Sequence, residues 1–243
     1  MIRTAPVAPA HPGRRLRAGF SLIELMVVLG IITLLLAAVG VALRGSGSQA
    51  AALQTAQSRV ASLLGMARSQ AAIYQVRARL VVYAIQPPSG ESDKYLRYLL
   101  LVRETAYNSS AWVAVGEPAY LPSPIYVVPP SVPTNHLALD ATGRRVVWPG
   151  TAYAPVSSIS GTTSMLVRYS ENSPTTVNLS RVYYIEYTPD GRTTSTKIAL
   201  ATAQPADNTT AHQYPMFDNP SAVRGLLLRS TGTISFVNDA NSF

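Results

Sequence analysis

Glu24 is the residue whose chemistry the rest of the chain has to explain. It is the single charge in the 24 residues from Phe20 to Leu43. A carboxylate in a membrane helix costs about 2.5–3.5 kcal/mol at the bilayer centre and less towards the interface. Such a group is retained where a cation can pair with it. Immediately before it runs Gly19-Phe20-Ser21-Leu22-Ile23, and before that a basic segment with Arg14, Arg15 and Arg17. Residues 1–19 contain no acid.

The element that positions Glu24 is the apolar run itself. At about 1.5 Å per residue, a helix over 20–43 is roughly 36 Å long, enough for a hydrocarbon core of about 30 Å. Basic residues before the span and none of either sign within it, apart from Glu24, place the N-terminus in the cytoplasm and the remainder outside it. A secretory signal peptide fits poorly. It has an apolar core of about 7–15 residues followed by a small-residue cleavage site. Here the core is longer, the glycine precedes it, and Glu24 interrupts it.

At these residues, Gly19-Phe20-Ser21-Leu22-Ile23-Glu24 followed by the apolar run, the chain resembles the type IV prepilins and type II secretion pseudopilins. The resemblance implies cleavage between Gly19 and Phe20 by a membrane prepilin peptidase, and N-methylation of the new amino terminus at Phe20. Glu24 would become the fifth residue of the mature chain. In that family the carboxylate neutralises the N-terminal amine of a neighbouring subunit during filament assembly, which supplies the cation that a buried carboxylate needs. Glycine, phenylalanine and glutamate at these places, directly after a basic segment, argue against a plain anchor with an incidental acid.

Composition agrees with an exported domain on such an anchor. The formal charge of +8 includes four of the 20 basic residues in the leader. Removing 1–19 leaves 16 basic and 12 acidic residues, a net +4 (16 − 12), so the basic balance is weak evidence for nucleic acid. Cysteine is absent, which excludes disulfides, thiolate zinc sites and cysteine nucleophiles.

Read in order, the chain predicts a basic leader over 1–19, a transmembrane helix over 20–43 and a hinge at 44–48, Arg-Gly-Ser-Gly-Ser. An amphipathic helix follows over 49–76, with Leu53, Ala56, Val60, Leu63, Ala67, Ala71 and Tyr74 as its apolar stripe and Leu64 at the edge. From 77 to 243 the pattern is that of an exported antiparallel β domain. Strands are expected at Arg79–Ile85, Tyr95–Val102, Met165–Tyr169, Arg181–Tyr187, Thr196–Ala201, Val223–Arg229 and Thr233–Val237. Thr188-Pro189-Asp190-Gly191 is a strong turn signal, with 196–201 read as the strand returning from 181–187. Residues 105–164 read as an irregular insertion with short runs at Trp112–Val115, Ile125–Val128 and Arg145–Trp148.

The fold class expected is therefore α+β, a long N-terminal helix packed on antiparallel sheet. Three stretches sharpen the resemblance: Ala67-Arg68-Ser69-Gln70-Ala71, Tyr187-Thr188-Pro189-Asp190-Gly191-Arg192, and Arg224-Gly225-Leu226 with Ser230-Thr231-Gly232. They look like the GspH/FimT family, the H-type minor pseudopilins and related minor pilins. Membership would imply a non-enzymatic filament subunit, single-pass in the bacterial inner membrane, with its β domain periplasmic. Its partners would be the prepilin peptidase, other major and minor pseudopilins, the inner-membrane assembly platform and membrane lipid. Some FimT-like pilins bind DNA during uptake, the alternative reading. Arg144, Arg145, Arg224 and Arg229 are few against the several phosphate contacts that DNA affinity needs, so DNA is a disfavoured partner.

Other chemistry finds little footing. His11, His136 and His212 have no metal-ligand spacing, and no cofactor is expected. There is no Gly-x-Ser-x-Gly and no phosphate-cradling glycine loop. Asp207, Asn208, Asp218 and Asn219 could offer oxygen ligands to calcium or could simply form a solvated turn, and the turn suits their chemistry better.

Overall fold

The computed structural model describes residues 22–23, 25–33, 47–86, 91–139, 141–148, 155–162, 164–206 and 214–243. The chain divides into two compact units, 1–46 and 47–243. In the first, 22–23 and 25–33 are helical. The rest of the expected leader and span, and hinge residues 44–46, lie outside the described residues. Among the described residues no helix is long and apolar enough to cross a membrane.

The second unit begins with α1 (Gly47–Tyr74). It is rich in Ala, Leu, Gln and Arg, all good helix formers, and contains no proline. It ends where Gln75 turns left-handed at φ 54°, and the Gln75 side chain donates back to the Ala72 carbonyl at 2.6 Å. Leu53, Ala56, Val60, Leu64, Ala67 and Ala71 form its buried face. Leu64, expected at the edge, is at the centre of that face. Leu63 is only half-buried, and Tyr74 is 50% exposed, lying under the Arg103 guanidinium at 3.9 Å. Steps of three and four permit either leucine, and the sheets beneath the helix select Leu64.

Thirteen strands follow among the described residues. In the first sheet β9 (Val182–Tyr187), β1 (Ala78–Tyr83), β2 (Tyr98–Glu104) and β3 (Trp112–Ala114) run side by side. It is extended by β6 (Ser160–Thr162) beyond β9, by β4 (Ala119–Tyr120) against β2, and by β7 (Met165–Arg168) and β8 (Thr176–Leu179) beyond β3. The β3–β7 pair is parallel and the other pairs are antiparallel. In the second sheet β10 (Thr196–Gln204) pairs with β5 (Ile125–Val128), β11 (Met216–Phe217) and β12 (Val223–Leu228). β13 (Ile234–Val237) pairs with β12.

Helix α1 lies on both sheets. Leu80, Val82, Leu99, Leu101, Ile185 and Tyr187 from the first sheet share a core with Ile125, Val127, Ile198, Leu200, Leu226 and Leu228 from the second. Both sheets are also apolar on their far faces. Val81, Leu100, Val102, Met165, Val167 and Leu179 form a core behind the first sheet. Leu137, Trp148, Phe217, Ala199 and Ala201 form one behind the second. This explains the continuous apolar run Tyr98-Leu99-Leu100-Leu101-Val102 in β2, which is buried on both faces.

Residues 105–164, read from the sequence as an irregular insertion, are woven into both sheets. They supply β3, β4 and β6 to the first and β5 to the second. The run at 145–148 forms no strand and contributes only the bridge between Leu139 and Arg145, while Trp148 fills the core behind the second sheet.

The expected hairpin of 181–187 with 196–201 does not form. Strand β9 pairs with β1 and β6, and β10 starts the other sheet. After the turn only Tyr187 and Thr193 remain opposite each other. Thr193 then donates its amide to Ser230 at 3.2 Å, which hands the chain to the second sheet.

Candidate functional site

Two regions of the molecule have functional interest. The first is the N-terminal segment. Gly19, Phe20 and Glu24, the residues expected to carry processing, methylation and assembly, lie outside the described residues. Around them, Leu22, Ile23, Leu25, Met26, Val27, Val28, Leu29, Ile31 and Ile32 are between 45% and 78% exposed in the isolated chain. Thr33 turns its hydroxyl back onto the helix, donating to the Leu29 carbonyl at 3.0 Å and the Gly30 carbonyl at 2.9 Å. A helix apolar on every side and self-satisfied at its hydroxyl is matched to lipid or to other helices, since water leaves such a surface uncovered.

The second region is the corner where α1 meets two turns. Thr188–Arg192 and Arg229–Thr233 have the same backbone pattern. The amide of the first residue donates to the carbonyl of the fifth, at 2.9 and 3.0 Å. The amide of the fourth donates to the carbonyl of the first, at 2.8 Å in both. The fourth residue is glycine each time, with φ +74° at Gly191 and +78° at Gly232. This is a type I turn closed by a left-handed glycine, the position where a side chain is strained.

The two turns also touch. A β-carbon on Gly232 would collide with the Gly191 carbonyl oxygen and would sit 3.2 Å from the Arg68 Nε and 3.3 Å from the Tyr187 ring. A β-carbon on Gly191 would likewise lie 3.2 Å from the Arg68 Nε. Arg68, on the outer flank of α1, therefore covers both turns. Helix residues 67–71, the 187–192 turn and the 224–232 hairpin, far apart in the chain, meet here. Below the corner, the buried Gln57 donates from Nε2 to the carbonyls of Gly225 at 2.7 Å and Val237 at 2.9 Å. The signal for Gln57 in the sequence is its place on the apolar stripe, four residues after Leu53 and three before Val60.

Burial acts on Tyr187 and hydrogen bonding on Asp190. Tyr187 is fully buried and its hydroxyl has no hydrogen-bond partner, so its pKa is pushed up to about 12 against the opposing pull of Arg68. Asp190 is held below the usual carboxylate range by the Thr188 hydroxyl and by Arg192, whose Nε lies 3.1 Å away. An open groove of about 760 Å³ runs beside the turn, lined by Gln75, Tyr107, Glu186, Pro189, Asp190 and Arg192. Its carboxylates are engaged, Glu186 with the Arg79 Nε at 2.7 Å and Asp190 with Arg192. Glu186 thereby ties β9 to β1, and Asp190 braces its own turn.

The remaining residues singled out by sequence are dispersed. His136 is buried in the core behind the second sheet; His11, His212, Asp207 and Asn208 lie outside the described residues. Asp218 accepts from the Thr202 hydroxyl at 3.3 Å. Asn219 accepts from the amides of Ser221 at 2.9 Å and Ala222 at 3.3 Å, an ordinary Asx turn. Arg145 donates to the carbonyls of Thr134 at 2.8 Å and Leu137 at 3.2 Å, Arg224 is half-buried on β12, and Arg229 is exposed at its turn.

Comparison with known families gives one match. A family model described as the prokaryotic N-terminal methylation motif, which is type IV prepilin-like, matches residues 14–40. The matched stretch takes in the basic segment, Gly19, Phe20, Glu24 and most of the apolar run. No curated protein and no solved structure matches the chain.

Proposed function

We propose that this chain is a minor pseudopilin or pilin-like structural subunit of a type II secretion or type IV pilus-like filament. The methylation motif at 14–40, with Glu24 inside its apolar run, carries the reading. A prepilin peptidase removes residues 1–19 and Phe20 becomes the N-methylated terminus. The segment 20–43 holds the subunit in the inner membrane, with the β domain on the far side, until the assembly platform draws it into the filament. Glu24 makes that transfer tolerable by pairing with the terminal amine of another subunit, replacing an isolated carboxylate in lipid with an ion pair. The role is mechanical rather than catalytic. The finer assignment to the H type rests on the likeness of the 67–71, 187–192 and 224–232 sequences to that family.

The test is the intact mass and N-terminal sequence of the protein purified from its native membrane. The expected species begins at N-methyl-Phe20 and lacks residues 1–19. An unprocessed chain, or one cut after Leu43, would overturn the reading.

A further inference from the structure

His136 closes the 3-10 turn Thr134–His136 and is 1% exposed. Its ring stacks on Tyr214, with centroids 4.6 Å apart and planes at 27°. Tyr95 meets it edge-on at 5.8 Å. Neither ring nitrogen has a hydrogen-bond partner. The stack joins three separate pieces of chain. Tyr95 belongs to the connection before β2, His136 to the segment over the second sheet, and Tyr214 to the approach to β11. From His136 the chain runs directly to Leu137, bridged to Phe217, and to Ala138, whose amide donates to the Phe217 carbonyl at 2.9 Å. The second sheet's far core is thus clasped at its rim by three rings.

A neutral imidazole tolerates this place because its ring is apolar on both faces. An imidazolium does not, because it brings two N–H donors and a charge to a site where no described residue offers them an acceptor. Among the described residues, the groups facing it give no relief. Tyr95 and Tyr214 bring phenol rings and no carboxylate, and burial pushes the Tyr95 hydroxyl up to about 12. The Arg145 guanidinium grips the Thr134 and Leu137 carbonyls on either side of His136 and carries the same sign as a protonated ring.

We propose that the Tyr95–His136–Tyr214 stack is an acid-released latch, which on protonation of His136 frees segments 134–139 and 214–217 from the second sheet while α1 and the first sheet stay folded. This device is independent of the filament reading. The sign follows from the folded pKa, lowered by burial from 6.5 to about 4. An open segment takes up a proton below about 6.5 and the closed one does not until about 4. Opening therefore becomes easier as pH falls through that window, by roughly thirtyfold at pH 5 relative to pH 8.

The experiment is hydrogen–deuterium exchange with mass spectrometry on the full chain in detergent, from pH 8 to pH 4.5, corrected for intrinsic exchange rates. Exchange in 134–139 and 214–217 is expected to accelerate by the stated factor at pH 5 while β1 and β2 keep their protection. In His136→Phe, which retains a stacking ring, that acid dependence is expected to vanish. No acceleration in the native chain, or equal acceleration in both proteins, overturns the proposal. Should His136→Phe fail to fold, imidazole NMR of the His11→Gln/His212→Gln variant decides, because it leaves one histidine. Titration of the folded chain near 6.5 overturns the latch, and titration near 4 supports it.

Discussion

The Gln57 side-chain amide donates to the carbonyls of Gly225 and Val237 at once, at 2.7 and 2.9 Å, tying α1 to two adjacent strands of the second sheet. Gly225 is itself pressed between a neighbouring strand and the C-terminal ring. A β-carbon there would collide with the Ile198 carbonyl and the Phe243 ring. Replacing Gln57 by leucine keeps the bulk but leaves both carbonyls without this donor in a dry interior. The expected loss is about 1–3 kcal/mol of stability, read from the urea midpoint of the chain in detergent. An unchanged midpoint would mean that water or another donor takes over.

The paired turns predict a contrast between two glycines of similar left-handed φ. Gly232 has φ +78° and meets the Gly191 carbonyl and Arg68. Gly116 has φ +71° and has nothing within 4 Å of an added β-carbon. Gly116→Ala should cost only the left-handed strain, about 1–2 kcal/mol. Gly232→Ala should cost clearly more, because the turns must part as well. Equal losses in thermal unfolding would show that the turn contact has no energetic weight.

Glu104 is fully buried on β2 and faces Arg77, which donates through Nε at 2.9 Å and through Nη2. It also accepts the amides of Asn108 at 3.2 Å and Ser110 at 3.3 Å, two residues held at positive φ. Burial alone would raise its pKa, but the Arg77 bond and charge and the two amides outweigh that and hold it below the usual carboxylate range. A lowered folded pKa means that the stabilisation is present above the unfolded value of about 4.5 and is lost as pH falls below it. Glu104→Gln removes the charge but leaves Arg77 half-buried against the site. A loss of about 2–4 kcal/mol at pH 7, shrinking at pH 3.5, is expected in chemical denaturation. A pH-independent difference would contradict the ion-pair account.

On the filament reading, Glu24→Ala is processed normally, since the scissile bond is four residues upstream, but fails to enter filaments. Immunoblotting of sheared filaments against the membrane fraction distinguishes the two steps. Gly19→Leu is expected to accumulate as the uncut precursor, because a bulky side chain would obstruct the scissile position. Normal incorporation of the first variant, or a terminus at Phe20 in the second, would refute the corresponding role.

Most strands were legible where apolar and β-branched residues cluster, as at Leu80-Val81-Val82 and Val182-Tyr183-Tyr184-Ile185. The short ones were not. Thr176–Leu179 and Ser160–Thr162 are polar edge pieces whose pairing is set by the strand beside them. The Thr-Pro-Asp-Gly turn was plain in the sequence, but its consequence was not. A turn specifies a reversal of the chain, and only the contact of Thr193 with Ser230 decides that the next strand joins the other sheet.

What the sequence determined by itself is everything that depends on near neighbours. The methylation motif, the lone carboxylate in its apolar run, the period of α1 and the left-handed glycine turns are all local. Helical period, bilayer length and backbone sterics act over a few residues. What only the tertiary structure decided are the relations between distant segments. These are Arg68 over Gly191 and Gly232, Gln57 between Gly225 and Val237, and His136 clasped by Tyr95 and Tyr214. Each joins stretches some 40 to 180 residues apart. Such contacts form because buried apolar faces must cover one another and buried polar groups must find partners, and no local pattern encodes which face meets which.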